Sequence, residues 1–174
     1  MIRPYNFARY RTLLVEKYEV PEADFNQQHA AWIARSGPSL ESEKAFVWHF
    51  LEHLASNLPE KYSNATQRYK QLREFYLVLW CFQIVEEEDG TNYMEMANYY
   101  ELKTAELADY KTYVTIIGGN QCAAAEAVNG LATPLEEALV KQPIPYVNCS
   151  RPRGCICCYG VHGVRDLNDR LALK

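Results

Sequence analysis

The segment NATQRYKQLREFYLVLWCFQIV, residues 64–85, decides the fold of this 174-residue chain. Its first turns are polar, whereas its second half is apolar on nearly every side, which is typical of a helix enclosed by other helices. The apolar run from Phe75 to Val85, interrupted only by Gln83, has 11 residues, whereas a membrane span needs about 20. We therefore predict a buried central helix and no membrane contact.

Helical spacing of apolar residues extends to both sides of this segment. Val20-Pro21, Ser36-Gly37-Pro38-Ser39 and Gly118-Gly119 supply the breaks, because proline and glycine disfavour the interior of a helix. No strand-like alternation stands out, so the predicted fold class is all-α, a bundle of five longer helices plus short helices. The further predicted helices cover residues 5–19, 21–35, 39–57, 91–117, 120–129, 133–141 and 164–173.

The sequence Gln142-Pro143-Ile144-Pro145 interrupts the helical pattern. Each residue that precedes a proline is pushed out of the α region, so this stretch is expected to be extended. We predict a helical body over residues 1–141. Residues 142–174 follow as an extended linker, a cysteine-rich zinc-type module and a short terminal helix.

Four cysteines, Cys149, Cys155, Cys157 and Cys158, lie within ten residues, and His162 follows four places later. Read as C-x5-C-x2-C-x3-H, this segment offers three thiolates and one imidazole, the ligand set that tetrahedral zinc prefers in structural sites. Cys157 is an alternative sulfur ligand, or the fourth ligand of an iron–sulfur cluster. Disulfide or redox chemistry and unliganded cysteines are the remaining alternatives.

Charge is distributed unevenly along the chain. Residues 86–140 carry 11 acidic and two basic side chains, whereas residues 141–174 carry six basic and two acidic ones. A basic end suits an anionic partner, either nucleic acid or an acidic protein surface, with Arg151, Arg153 and Arg165 as the candidate contacts. The alternative is a solvated face without a partner.

The segment NCSRPRGCICCYGVH, residues 148–162, resembles the cysteine-rich stretch of phage-type site-specific integrases and related mobile-element proteins. Residues 64–80 are also similar to the helical core-binding domain of that class. The resemblance implies contact with DNA or with a DNA-bound partner. It carries over no catalytic residue, because a tyrosine recombinase needs a downstream tyrosine and none follows Arg165.

The sequence His49-Phe50-Leu51-Glu52-His53 spells H-x-x-E-H, the inverted zinc-protease signature. A helical projection places His49, Glu52 and His53 opposite the apolar residues of the same helix. We therefore expect these three side chains to face solvent as ordinary surface residues. The protease interpretation is the alternative.

Cys122 follows Asn120 at the predicted start of a short helix. The exposed N–H groups and the dipole at a helix N-terminus lower a thiol pKa, which is the setting of many nucleophilic cysteines. A catalytic thiol also needs a base, and the sequence does not indicate which histidine would supply it. The alternative is a small buried apolar residue.

Thirteen tyrosines occur in the chain, and several lie on the predicted fifth helix. Tyrosine offers a large contact area at low entropic cost, so these residues suit a binding surface. Arg68, Lys70 and Arg73 flank Tyr69 and are candidates for phosphate contact. The alternatives are tyrosines at the edge of the core and a solvated charged face.

The N-terminal sequence MIRPYNFARYRTLL carries three arginines and lacks the apolar core of a secretory signal, so we expect a cytoplasmic protein. Taken together, the patterns predict a small zinc-stabilised binding protein that contacts DNA or a DNA-associated protein through its basic C-terminal module. The alternatives are an enzyme that uses Cys122 or the cysteine-rich site, and a structural subunit-interface protein. The sequence does not indicate the oligomeric state.

Overall fold

The computed structural model describes residues 5–86, 88–118, 123–146, 149–151 and 153–174. These residues are mostly helical, with one small sheet. The helices are α1 (Phe7–Thr12), continued by a π-helical turn (Leu13–Lys17), α2 (Glu22–Ser36), α3 (Leu40–Lys61), α4 (Ala65–Val85), α5 (Thr91–Glu106), α6 (Ala123–Glu126) and α7 (Leu135–Lys141). The strands are β1 (Thr112–Ile117), β2 (Ala132–Pro134) and β3 (Cys158–Gly163).

Residues 1–57 form one compact unit. Its core is aromatic: the Phe25 ring of α2 lies 5.3 Å from Phe46 and 5.4 Å from Phe50, both on α3, between ring centroids. The Phe7 ring of α1 lies 6.0 Å from Phe25. Such tilted and edge-on ring pairs add to the stabilisation from burial alone. These contacts fix the first three helices to one another.

Residues 58–174 form the second compact unit, in which α4 packs along α5. The Asn64 side chain accepts a hydrogen bond from the Gln67 backbone N–H and so caps α4, as asparagine does at many helix starts. The helix predicted over residues 64–85 is confirmed, with bounds that agree within one residue, but Cys81 is exposed, so the helix is not enclosed on every side. Its buried residues are Leu72, Phe75, Leu79, Phe82 and Ile84.

The prediction of an all-α fold is wrong in one region. The fifth helix ends at Glu106, and Thr112–Ile117, predicted to be its last turns, form β1. β1 is the central strand of an antiparallel sheet with the order β2-β1-β3. The run from Thr112 to Ile117 is rich in β-branched residues, which pack well on a pleated surface. Thr112, Val114 and Ile116 are buried in alternation.

The predicted terminal helix over residues 164–173 is also wrong. Backbone pairing replaces it: the Lys111 N–H donates to the Ala172 carbonyl (2.7 Å), and the Ala172 N–H donates to the Val164 carbonyl (2.8 Å). In the turn between Val164 and Ala172, the Asp166 carboxylate accepts hydrogen bonds from the backbone N–H groups of Asn168 and Arg170. Aspartate and asparagine stabilise turns in this way, and here the turn overrides helix propensity.

The shorter predicted elements are shifted. α7 begins at Leu135 because Thr133, the first residue of the predicted helix 133–141, lies in β2 opposite Val114. α6 covers Ala123–Glu126 within the predicted helix 120–129. The predicted boundary at 141/142 falls inside the second unit, since β3 from the predicted terminal module pairs with β1 from the predicted helical body. Among the helices described, none is long and apolar enough to cross a membrane.

Candidate nucleic-acid interface

The chain from Cys155 to His162 is extended, so successive side chains point to opposite faces. Cys155, Cys157 and Tyr159 point into the core, whereas Cys158 and His162 lie on the other face of β3. Cys158 and His162 are four residues apart on this strand, which separates their Cα atoms by about 13 Å. Zinc–ligand bonds are only about 2.0–2.3 Å long. The strand therefore does not bring Cys158 and His162 to one ion.

The His162 imidazole has neighbours on the outer face of the sheet. It stacks on the Tyr113 ring, with 5.0 Å between ring centroids and an interplanar angle of 17°. Its Nε2 atom lies 3.0 Å from the Thr115 hydroxyl oxygen. Gly160 pairs with Thr115 across the two strands, and a Cβ atom at residue 160 would be 2.9 Å from the Thr115 hydroxyl oxygen. His162 thus packs with β1 and is directed away from the buried cysteines.

Three of the cysteines belong to the apolar core. Cys155 and Cys157 are fully buried in it, and Cys149 packs against it at partial exposure. Burial raises the pKa of the Cys158 thiol, opposed by the nearby Arg73 guanidinium. In the part of the chain that is described, no group of three or more His, Cys, Asp or Glu side chains is placed to hold a metal ion. The zinc site and the iron–sulfur alternative stay predictions.

The three candidate arginines lie at opposite ends of β3. Arg151 and Arg153 occupy the loop before the strand and are partly buried. Arg165 lies after it, forms an ion pair with the Asp169 carboxylate (3.5 Å) and donates to the Asp169 carbonyl (2.7 Å). The six-residue strand between these positions spans roughly 17 Å. The arginines therefore do not form one compact basic patch.

The basic loop approaches the acidic segment of the same chain. Gly154 has φ +85°, and a Cβ atom there would lie 2.6 Å from the Asp89 carboxylate. Thr91, at the start of α5, donates from its hydroxyl and from its backbone N–H to Asp89, and these hydrogen bonds lower the Asp89 pKa. Only glycine accommodates this conformation and this contact without strain.

Tyrosines from α4 and α5 form a surface that the sequence did not locate. The Tyr100 ring centroid lies 5.8 Å from Tyr69, 5.6 Å from Tyr76 and 5.2 Å from Tyr99. Each of these four side chains is partly exposed, and we call them the tyrosine face. The usable sequence signal is the seven-residue interval between Tyr69 and Tyr76, which returns to the same side of a helix after two turns.

Cationic side chains flank the tyrosine face. The Arg68 guanidinium lies 5.6 Å from the centroid of the Tyr69 ring, within the range of a cation–π contact. Arg73 pairs with Glu101 across the two helices, and Lys103 pairs with Glu106 on α5. The aromatic surface therefore lies among charged groups of both signs.

Two phenols of this surface, those of Tyr76 and Tyr100, are held in the neutral form by their surroundings. Burial raises the pKa of Tyr76, and burial together with the neighbouring phenols raises the pKa of Tyr100. The four partly exposed rings offer flat faces for stacking, and a neutral phenol at Tyr76 and Tyr100 does not repel an anionic ligand.

The other sequence candidates lie elsewhere. His49, Glu52 and His53 are all exposed on α3, as predicted. His49 stacks on Trp32 with 5.6 Å between ring centroids, and the Asn57 amide nitrogen lies 3.2 Å from His53 Nε2. These contacts account for both rings within the first unit. Cys122 lies outside the described residues.

Comparison of the chain with protein-family models, with curated proteins and with solved structures gave no match. The resemblance to integrases therefore stays a hypothesis based on local sequence. Function has to be inferred from the chemistry of the surfaces described above.

Proposed function

We propose that this protein is a binding module for single-stranded nucleic acid and that the bases stack on the tyrosine face. The supporting observation is the chain of ring contacts through which Tyr100 joins Tyr69, Tyr76 and Tyr99, each of them partly exposed. Aromatic side chains on which successive bases stack are the common device of proteins that bind single strands without strong sequence preference.

Phosphate contacts come from the cations beside the rings. Arg68 lies over Tyr69, and Lys70 is exposed one residue further along α4. Arg73 and Lys103 already pair with carboxylates, so their contribution to phosphate binding is smaller. For two phosphate contacts to a single strand, the logarithm of the binding constant falls with the logarithm of salt concentration with a slope of roughly −1.4. The binding is therefore carried more by stacking than by charge.

This proposal moves the contact surface away from the arginines that the sequence indicated. Arg165 is engaged by Asp169, and Arg151 and Arg153 lie at the other end of β3. Double-stranded DNA also hides the faces of its bases, so a stacking surface favours single strands over duplex. Nucleic acid remains the partner class, and α4 with α5 replaces the C-terminal module as the binding element.

Fluorescence anisotropy with labelled oligothymidylate and oligouridylate tests the proposal, with unlabelled duplex as competitor. Tyr100→Leu removes the ring that contacts the other three and is expected to weaken binding about tenfold, because stacking contributes roughly 1–3 kcal/mol per base. Tyr100→Phe keeps the ring and is expected to keep the affinity within about twofold.

Tyr113→Leu is the matched control, since Tyr113 is a partly exposed tyrosine on the sheet that stacks on His162. It should leave the affinity unchanged. Circular dichroism of each variant separates loss of binding from loss of fold. Equal affinity of the Tyr100→Leu variant and the wild type, or a preference for duplex, would contradict the proposal.

A further inference from the structure

A small apolar cavity lies within the second unit, and its lining residues come from β1, β2, α7 and the segments that flank them. Its volume is about 250 Å³, whereas an apolar cavity of about 150 Å³ already holds a benzene ring. Most of its wall is formed by the apolar residues Ile116, Val128, Leu131, Ala138, Pro143 and Tyr146. None of these residues belongs to the tyrosine face.

The inner wall of the cavity belongs to the core of the second unit. Ile116 is 6% exposed and Ala138 is 1% exposed, and Val128 and Tyr146 pack against the same core cluster. Folded proteins contain few voids larger than a water molecule, and an unfilled apolar void costs stability in proportion to its volume. An apolar ligand group that enters this cavity therefore gains packing contacts that the core itself does not supply.

Two opposite charges lie at the mouth of the cavity. Glu137 and Lys141 both line it, one turn apart on α7, and both side chains are partly exposed. The Lys141 ammonium and the Glu137 carboxylate form an ion pair with 2.6 Å between nitrogen and oxygen. An exposed ion pair at this spacing on a helix contributes little to stability. A ligand that brings its own charges can therefore replace the pair at low cost.

The wall and the mouth together specify the kind of ligand. A ligand with a single charge would be attracted by one of the two residues, Glu137 or Lys141, and repelled by the other. A free apolar amino acid carries an ammonium and a carboxylate on one carbon, beside an apolar side chain. These three groups match Glu137, Lys141 and the apolar wall in turn. Hydrogen bonds between charged partners are the stronger ones, so both contacts favour binding.

We propose that this cavity binds a free amino acid with a large apolar side chain, of which phenylalanine is an example. The side chain lies among Ile116, Val128 and Tyr146. The ammonium of the ligand donates to the Glu137 carboxylate, and its carboxylate accepts from the Lys141 ammonium. This site is independent of the proposed single-strand surface on α4 and α5.

Isothermal titration calorimetry with L-phenylalanine and three partial analogues tests this site. Phenethylamine lacks the carboxylate, 3-phenylpropionate lacks the ammonium, and glycine lacks the apolar side chain. L-phenylalanine should bind saturably. Phenethylamine and 3-phenylpropionate should each bind about tenfold more weakly, because each loses one hydrogen bond between charged partners. Glycine should not bind measurably.

Charge variants of α7 test the two residues at the mouth. Glu137→Gln should weaken the binding of L-phenylalanine about tenfold but should not weaken that of 3-phenylpropionate, which has no ammonium. Lys141→Gln should likewise weaken L-phenylalanine but not phenethylamine. A general loss of fold would weaken every ligand alike. Glu41→Gln is the matched control, since it breaks a comparable ion pair with Lys44 (3.4 Å) on α3 and should change no affinity.

Two further variants test the apolar part of the site. Ala138→Leu fills the cavity and should abolish binding, while the unfolding midpoint without ligand stays the same or rises. Leu131→Ala shortens a wall residue that is 59% exposed, so the fold should be retained while the affinity falls about threefold. Three results would each overturn the proposal: no saturable binding of L-phenylalanine, equal affinity for the two singly charged analogues, or unchanged affinity in both charge variants.

Discussion

The cysteine-rich segment and the tyrosine face, both within residues 58–174, place their side chains in opposite ways. The cysteines are close in sequence, but the alternation of an extended chain sends Cys155 and Cys157 into the core and Cys158 to the other face. The tyrosines come from two separate segments, residues 69–76 and 99–100, but helical periodicity and the packing of α4 on α5 gather their rings around Tyr100. Proximity in sequence is therefore a poor guide to a site unless the local backbone period is known.

The largest expected effect concerns the buried cysteines. Cys155→Ser places a hydroxyl in a fully buried apolar position and should lower the free energy of unfolding by about 2 kcal/mol. Cys158→Ser, at a half-buried position, should cost less than about 1 kcal/mol. Urea unfolding monitored by circular dichroism measures both changes.

Treatment with a metal chelator tests whether the cysteines stabilise the protein by packing or by binding zinc. If the cysteines stabilise the protein only by packing, the chelator should leave the unfolding midpoint of the wild type unchanged. If they hold zinc as the spacing predicted, the chelator should lower that midpoint, because metal binding contributes directly to folding. Elemental analysis of the purified protein accompanies this experiment, and one zinc per chain would support the predicted zinc site in the cysteine-rich segment.

A smaller change in the free energy of unfolding is expected at alkaline pH, from Tyr159 in the same core as Cys155 and Cys157. Burial raises the pKa of Tyr159 to about 12, from an ordinary value near 10. The folded state therefore favours the neutral phenol, so stability is fully present below about pH 10 and is lost as the pH rises through about 12. Tyr159→Phe should reduce this loss. Urea unfolding of both proteins at neutral pH and above pH 10 measures the difference, and identical losses would contradict it.

The smallest expected effect concerns the charges beside the tyrosine face. Arg68→Gln removes one candidate phosphate contact and should reduce the steepness of the salt dependence by about 0.7 for a single strand. Affinity at moderate salt should fall less than about threefold, because stacking is retained. Arg165→Gln is the control and should change neither quantity. A larger effect at Arg165 than at Arg68 would favour the C-terminal module as the binding element.

The sequence predicted helices correctly where the spacing of apolar residues within one segment was enough to indicate them. The extent of α4 and the exposure of His49, Glu52 and His53 on α3 follow from helical periodicity, and both predictions are confirmed. β1 was missed because its alternation of burial depends on pairing with β3, more than 40 residues away. The seven-residue tyrosine interval was visible, but its meaning depended on how α4 packs on α5.

The most direct test of the tyrosine face is a nuclear magnetic resonance titration of the protein with oligothymidylate. Stacked bases impose ring currents on the groups that they cover, so the side-chain resonances of Tyr69 and Tyr100 should shift while those of Tyr113 stay unchanged. Shifts confined to the backbone amides of Arg151, Arg153 and Arg165, with unchanged tyrosine rings, would contradict the proposal.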